Sequence, residues 1–366
     1  MFGHIFLGMF VFGMLFLDIF FLDISGRDAR YQDRRQALSH LSPLLKQASQ
    51  VTRILVLVAP GESPLPGLEK LPDAVELTTV SAEAELREHL PQTDILVVTD
   101  FRTGLLERCW PAQHNIKWVH ATSAGVDALL FPALVDSDLL LTNARGVFDL
   151  GIAEYVLGAV LLFAKDTLGN LRHQRSHQWQ HRETELISGK QALVIGAGSI
   201  GSEVARLLNV LGLEVTGVAR SAREAPYFEQ IVADDNLDKY LPGADFVVIT
   251  APLTPATEGL INRARLAQMK PQAVLINVGR GAVVVTDDLV AALQQKVIAG
   301  AALDVFEPEP LPENHPLWDM PNVMMSAHMA GDFVGWQRAL GEQFTANLEH
   351  WLADESLFNQ VDKRKS

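Results

Sequence analysis

From Arg53 onward the chain alternates short, almost continuously apolar runs with longer stretches whose apolar residues recur every third or fourth position. The first kind predicts buried strands, the second amphipathic helices. Strands are predicted at 54–58, 75–80, 94–99, 116–120 and 139–142. Asp149 then precedes Ile152, Val156, Ala159 and Phe163, the spacing of a helix with Asp149 as its cap. A second series of strands is predicted at 192–195, 214–219, 246–250, 274–278, 299–304 and 323–326. Between the first two of these, Ile200, Val204, Leu207, Leu208 and Leu211 mark a helix, and 333–352 predicts a closing helix that packs back on the first series. Strands alternating with helices imply an α/β fold of two doubly wound parallel-sheet domains. Length agrees, since 366 residues exceed the roughly 250 that one hydrophobic core serves.

Charge changes the picture little. Lys and Arg number 30 against 44 Asp and Glu, a net charge of −14, which argues against a nucleic-acid partner because phosphate backbones demand clustered cations. The lone cysteine, Cys109, forms no internal disulfide, fits a reducing compartment and is expected simply to pack.

Residues 1–50 read as an N-terminal extension. Met1 to Leu17 is apolar apart from His4, with Asp18 and Asp23 following, and lacks the basic start and small-residue cleavage site of a secretory signal. The run is short for a bilayer span of about 20 residues. Three readings stay open: an accidental or poorly ordered extension, a membrane anchor flanked by Arg27, Arg30, Arg34 and Arg35, or a docked helix. The expected location is the cytoplasm, with anchoring through residues 1–24 as the alternative; full-length protein confined to the soluble fraction of cells would remove the anchor.

Candidate chemistry begins at Gly196-Ala197-Gly198-Ser199-Ile200-Gly201, which follows a predicted strand and opens a predicted helix. In that context the glycines permit a tight turn, close backbone approach to a pyrophosphate, and close packing of helix on strand, with phosphate at the helix's positive end. Three further segments, ending strands 274–278, 299–304 and 323–326, carry Arg280, Glu309 and His328. Ligands of open α/β sheets bind beyond the carboxyl ends of strands, so these groups are expected to converge. Singly, each has an ordinary explanation: a surface cation, a solvated loop acid, a structural histidine. Together they suit reduction of a 2-oxo acid. His328 would supply a proton near neutral pH, Glu309 would favour and orient the imidazolium, and Arg280 would grip the substrate's carboxylate or carbonyl oxygen.

These motifs, with Ser123-Ala124-Gly125-Val126-Asp127, Pro252-Leu253-Thr254, Asn277-Val278-Gly279-Arg280-Gly281, Ala302-Leu303-Asp304 and His328-Met329-Ala330-Gly331, resemble the D-isomer-specific 2-hydroxyacid dehydrogenase family over residues 53–350, its glyoxylate/hydroxypyruvate reductases in particular. The resemblance implies a Rossmann cofactor domain, 149–329, inserted in a flavodoxin-like substrate domain, 51–148 with 330–366. It implies Arg280, Glu309 and His328 as the catalytic set. Backbone donors at Ser123, Ala124, Gly125 and Val126 would hold the substrate carboxylate together with Arg280 and His328. On the cofactor side it implies Gly196, Gly198, Ser199, Ile200, Gly201, Val278, Gly279, Asp304 and Gly331, with Pro252 shaping the adenine side, and a homodimer.

By family spacing Ala219 stands where an NAD-preferring site places an acid for the ribose, and Arg220, Ser221 and Arg223 follow. A 2′-phosphate is attracted to such a cluster, so NADP(H) is expected, with NAD possible. His173, His177 and His181 share i, i+4, i+8 spacing and line one face if the helix runs that far; a polar face is expected there, and no metal. The competing class is a nucleotide-sensing interaction protein of the co-repressor type, which binds cofactor without turnover.

Overall fold

A computed structural model describes residues 51–99 and 103–364. The N-terminal apolar run and its three readings therefore lie outside the described residues. From Arg53 onward the chain forms one compact unit. It contains two sheets whose recorded strand pairs are all parallel.

The first sheet has the order β2-β1-β3-β4-β5, built from Thr52–Leu57 (β1), Val75–Val80 (β2), Ile95–Val98 (β3), Trp118–Ala121 (β4) and Leu140–Thr142 (β5). Every residue of β3 and β4 is buried, as expected of strands covered on both faces. The second sheet runs β12-β11-β10-β9-β6-β7-β8. Its strands are Gln191–Ile195 (β6), Glu214–Ala219 (β7), Gln230–Ala233 (β8), Phe246–Ile249 (β9), Val274–Asn277 (β10), Gly300–Leu303 (β11) and Val323–Met325 (β12). Strand order reverses between β6 and β9, so a crevice opens beyond their carboxyl ends. The edge strand β8 has no predicted counterpart: only Ile231 is buried in it, too little apolar signal to stand out.

Two helices tie the halves together. The Asp149–Ala164 helix buries Ile152, Ala153, Val156, Ala159 and Val160 with Val204, Ala205 and Leu208 of the Ser199–Val210 helix in the core of the second sheet. Asp149 is the first helical residue rather than a cap, because Phe148 precedes the helix without a side-chain bond. The Trp336–Leu352 helix buries Leu340, Phe344 and Leu348 against Ile54, Val56, Ile95 and Trp118 of the first sheet, and the Trp118 and Phe344 rings stack at 5.3 Å. The chain thus passes between the sheets twice, near residues 143–149 and 327–336. Cys109 is buried in the first sheet's core, a packing residue as expected.

The histidine expectation is corrected as well. The Thr167–Arg175 helix stops before His177, whose φ is +54°, so the three histidines share no helical face. His173 instead bonds the Gln178 side chain at 3.0 Å. Among the described residues no helix is long and apolar enough to cross a membrane, and no group of three or more His, Cys, Asp or Glu is disposed to hold a metal ion.

Candidate active site

The glycine turn follows β6 and opens the Ser199–Val210 helix. Gly196 has φ +106°, and a Cβ there would stand 2.5 Å from the Ala251 nitrogen. At Gly201 a Cβ would meet the Gly196 carbonyl oxygen at 2.1 Å, so only glycine lets the helix start this close to the turn. Gly198 has nothing within 4 Å of its Cβ position; it faces open space just where the helix presents its unpaired first-turn amides, Ser199 to Gly201. The turn therefore fits a pyrophosphate. The Ser199 hydroxyl is turned aside to the Asp149 carboxylate at the start of the neighbouring helix, a partner that local sequence did not suggest. Ala219 ends β7 with Arg220, Ser221 and Arg223 beyond it. The Arg223 guanidinium donates to the Ala197 carbonyl inside the turn, which sets its charge beside the crevice.

Arg280 lies beyond β10 and Asp127 beyond β4, 153 residues apart, yet they form an ion pair. Arg280 Nη2 donates to Asp127 Oδ1 at 2.9 Å, Nε to the same carboxylate at 3.2 and 3.3 Å, and Nη1 to the Gly279 carbonyl at 2.9 Å. A guanidinium has five N–H donors, so both terminal nitrogens keep one for a ligand. Two glycines make room. A Cβ on Gly125 would fall 1.9 Å from Arg280 Nη2, and one on Gly281 2.0 Å from the Phe306 carbonyl. The first lets Arg280 lie against residues 123–127; the second brings its loop against the segment that carries Glu309.

Glu309 and His328 are bonded, Oε2 to Nδ1 at 2.8 Å, while Glu309 Oε1 accepts the Phe306 N–H at 2.8 Å. The hydrogen bond that His328 donates to Glu309 raises the His328 pKa, against burial and the charge of Arg280. Burial alone would raise Glu309, but its bonds from His328 and Phe306 outweigh this and hold it low. The pair therefore favours an imidazolium beside a carboxylate. Nδ1 being engaged, Nε2 is the nitrogen left to meet a substrate.

His328 has φ +52°, a conformation that costs energy outside glycine and needs support. Asp304, 2 % exposed, supplies it. Its carboxylate accepts the Met329 and Ala330 N–H groups, each at 2.9 Å, and the Ser326 hydroxyl at 2.6 Å, while its carbonyl accepts the His328 N–H at 2.8 Å. The Tyr155 hydroxyl lies 2.6 Å from Ser326 Oγ. Since the serine hydrogen goes to Asp304, the phenol is the donor, and burial keeps it protonated by raising its pKa. Asp304, expected at the nicotinamide, is found clamping the histidine loop, and Tyr155 and Ser326 join the site without a sequence signal of their own. Motif position alone marks Asp127.

One cavity of about 390 Å³ is lined by Ser123, Gly125, Val126, Asp127, Arg280, Glu309 and His328 among others. The three reacting groups expected from sequence are thus brought together with the 123–126 loop. The Ser123 hydroxyl is committed to the Gly125 carbonyl at 2.6 Å, and the Ala124 carbonyl to the Asn143 side chain at 2.6 Å. Val278 is buried beside the end of β10, and Pro252 follows β9. Gly279 and Gly331 are close-packing positions: a Cβ would meet the Ala251 carbonyl oxygen at 2.7 Å and the Phe148 ring at 2.9 Å, respectively.

The family model for the NAD binding domain of D-isomer specific 2-hydroxyacid dehydrogenases matches residues 157–330. The chain is 31 % identical over 301 residues to the glyoxylate/hydroxypyruvate reductase A of Serratia proteamaculans, covering 76 % of this chain and 93 % of that protein. It is 31 % identical over 315 residues to the glyoxylate reductase of Thermofilum pendens, covering 81 % and 89 %. The structure of the NADPH-dependent glyoxylate/hydroxypyruvate reductase of Sinorhizobium meliloti, in complex with NADP and sulfate, matches with a TM-score of 0.75 at 28 % identity, covering 86 % of this chain and 99 % of that one. By fold and by sequence likeness the chain belongs to the D-isomer specific 2-hydroxyacid dehydrogenase family, a class of NAD(P)-dependent oxidoreductases.

Proposed function

We propose that this chain moves a hydride between NADP(H) and a small 2-oxo acid or its D-2-hydroxy acid, with glyoxylate and hydroxypyruvate as the reference substrates. The observation that carries this is the single cavity shared by Arg280, Glu309, His328 and the 123–126 loop. Residues 149–329 would hold the nucleotide, and 51–148 with 330–366 the far side of the substrate. The cofactor, when bound, supplies the hydride. Gly196, Gly198, Ile200 and Gly201 would cradle its pyrophosphate, with Ser199 once released from Asp149. Pro252 would flank the adenine side, and Val278, Gly279, Asp304 and Gly331 the nicotinamide side.

In this reading Arg280 uses its remaining N–H groups on the substrate's carboxylate or carbonyl oxygen, with Asp127 holding the guanidinium still. Backbone donors of residues 123–126 share the carboxylate. His328 gives the carbonyl oxygen a proton from Nε2, and Glu309 keeps the imidazole charged and aligned. The preference for NADP(H) is supported by Ala219 at the end of β7 and by Arg220, Ser221 and Arg223 after it. Initial rates over a panel of 2-oxo acids with both nicotinamides test the whole reading. We expect turnover, with a higher kcat/KM for NADPH. Cofactor binding without oxidation would defeat the enzyme reading, and a clear preference for NADH the cofactor assignment.

A homodimer is part of the same proposal. The irregular segment after Arg175 folds back on the preceding helix through the Arg182–Asp166 ion pair at 2.6 Å, yet leaves Trp179 fully exposed and Leu171 and Leu186 open to solvent. Apolar side chains so displayed suit an interface. Sedimentation equilibrium is expected to give twice the chain mass, falling toward one chain in Trp179→Glu; a wild-type monomer would remove the proposal.

A further inference from the structure

A second cavity, of about 580 Å³, is lined by Phe306, Pro310, Leu311, Trp318 and Met325 and by Glu309 and His328. Phe306, Glu309 and His328 also line the cavity that contains Arg280, so the two meet at the acid–base pair. Their walls differ. Asp127, Arg280 and Glu307 make the first one charged, whereas beyond the shared pair the second offers mostly apolar side chains. At its rim Trp318 is 53 % exposed, but its orientation is held, because the indole N–H donates to the Pro312 carbonyl at 2.9 Å. A tryptophan held in place with half its surface in water gains from any apolar group laid against it.

The geometry of a 2-oxo acid connects the two spaces. Its carbonyl carbon is trigonal, so the carboxylate and the side chain leave it on opposite sides of the C=O bond. With the carbonyl oxygen at His328 and the carboxylate toward Arg280, the side chain leaves on the side opposite Arg280. Resting on the reaction proposed above, we infer that the second cavity takes the substrate's side chain, and that the favoured substrates are 2-oxo acids carrying a large apolar group, branched alkyl or aryl. Neither the hydrogen of glyoxylate nor the hydroxymethyl group of hydroxypyruvate uses such walls. Leu311, Trp318 and Met325 are then the specificity-determining residues, while the reacting end of the substrate is unchanged.

The test is kcat/KM for glyoxylate, hydroxypyruvate, 4-methyl-2-oxopentanoate and phenylpyruvate, at saturating concentration of the better nicotinamide, in the wild type, Trp318→Ala and Trp318→Phe. Each buried methylene is worth about four-fold, so phenylpyruvate is expected to exceed glyoxylate by more than about ten-fold. The ratio between those two substrates should fall about ten-fold in Trp318→Ala, mainly through KM, and largely recover in Trp318→Phe. Because each ratio is internal to one protein sample, a partly misfolded variant does not distort it. Glyoxylate or hydroxypyruvate turned over as well as the large substrates, or a ratio that Trp318→Ala leaves alone, overturns the side-chain pocket while the proposed reaction stands. Absence of turnover with every 2-oxo acid overturns both.

Discussion

His328→Ala is expected to lower kcat for 2-oxo acid reduction by roughly 100- to 10,000-fold, the range for loss of a positioned proton donor, while NADPH affinity changes little. The cofactor contacts proposed for the glycine turn lie beyond β6, whereas His328 stands beyond β12 and bonds Glu309. Because His328 occupies a left-handed conformation, His328→Asn, which tolerates that backbone, separates lost chemistry from backbone strain. Steady-state rates with a fluorescence titration of NADPH decide the matter. Equal loss of turnover and cofactor binding in both variants would mean structural damage and would sink the assignment.

The same assignment fixes a pH dependence. Reduction needs the imidazolium, so kcat/KM is flat at low pH and falls as pH rises through the His328 pKa. That pKa is raised, first by the bond His328 donates to Glu309. Glu309→Gln removes the negative charge, so the alkaline fall should move to lower pH. In the oxidation direction neutral imidazole is needed, and the rate should rise through the same pKa. A fall that stays in place, or moves to higher pH, contradicts the pairing.

Arg280→Lys is expected to cost about 100- to 1,000-fold in kcat/KM for the 2-oxo acid, comparable to removing a donor aimed at developing charge. Lysine keeps the charge, but its single ammonium cannot bond Asp127 through two edges, reach the Gly279 carbonyl and still present a two-pronged face. The wild-type guanidinium makes the first two sets of bonds at 2.9–3.3 Å with donors to spare. The loss should appear with every 2-oxo acid and leave NADPH binding within a few-fold. Near-normal turnover in the lysine variant would show that charge alone suffices and that Arg280 is not a directional grip.

Much of this site is legible in residue order because its parts sit where local patterns stop. Arg280, Glu309 and His328 follow β10, β11 and β12, each a short apolar run, and parallel strands deliver their ends to the same side of a sheet. Gly196 and Gly201 are equally readable, since the turn and the helix start they permit are local. A local pattern misleads where it is extended past its physical limit. The histidine spacing assumes a helix that ends at Arg175, and Asp149 reads as a cap only until its carboxylate is found on Ser199.

Periodicity and the glycine turn set the α/β class and the order of every strand but β8, and the ordered motifs carry the family resemblance, because each of these signals lies within a few residues of sequence. Tertiary structure alone decided the pairing of Arg280 with Asp127, the close approaches at Gly125 and Gly281, and the line from Tyr155 through Ser326 to the Asp304 carboxylate that supports His328. These join groups up to 171 residues apart. Their geometry depends on how two separately built sheets and the helices between them pack, and no short-range pattern records that.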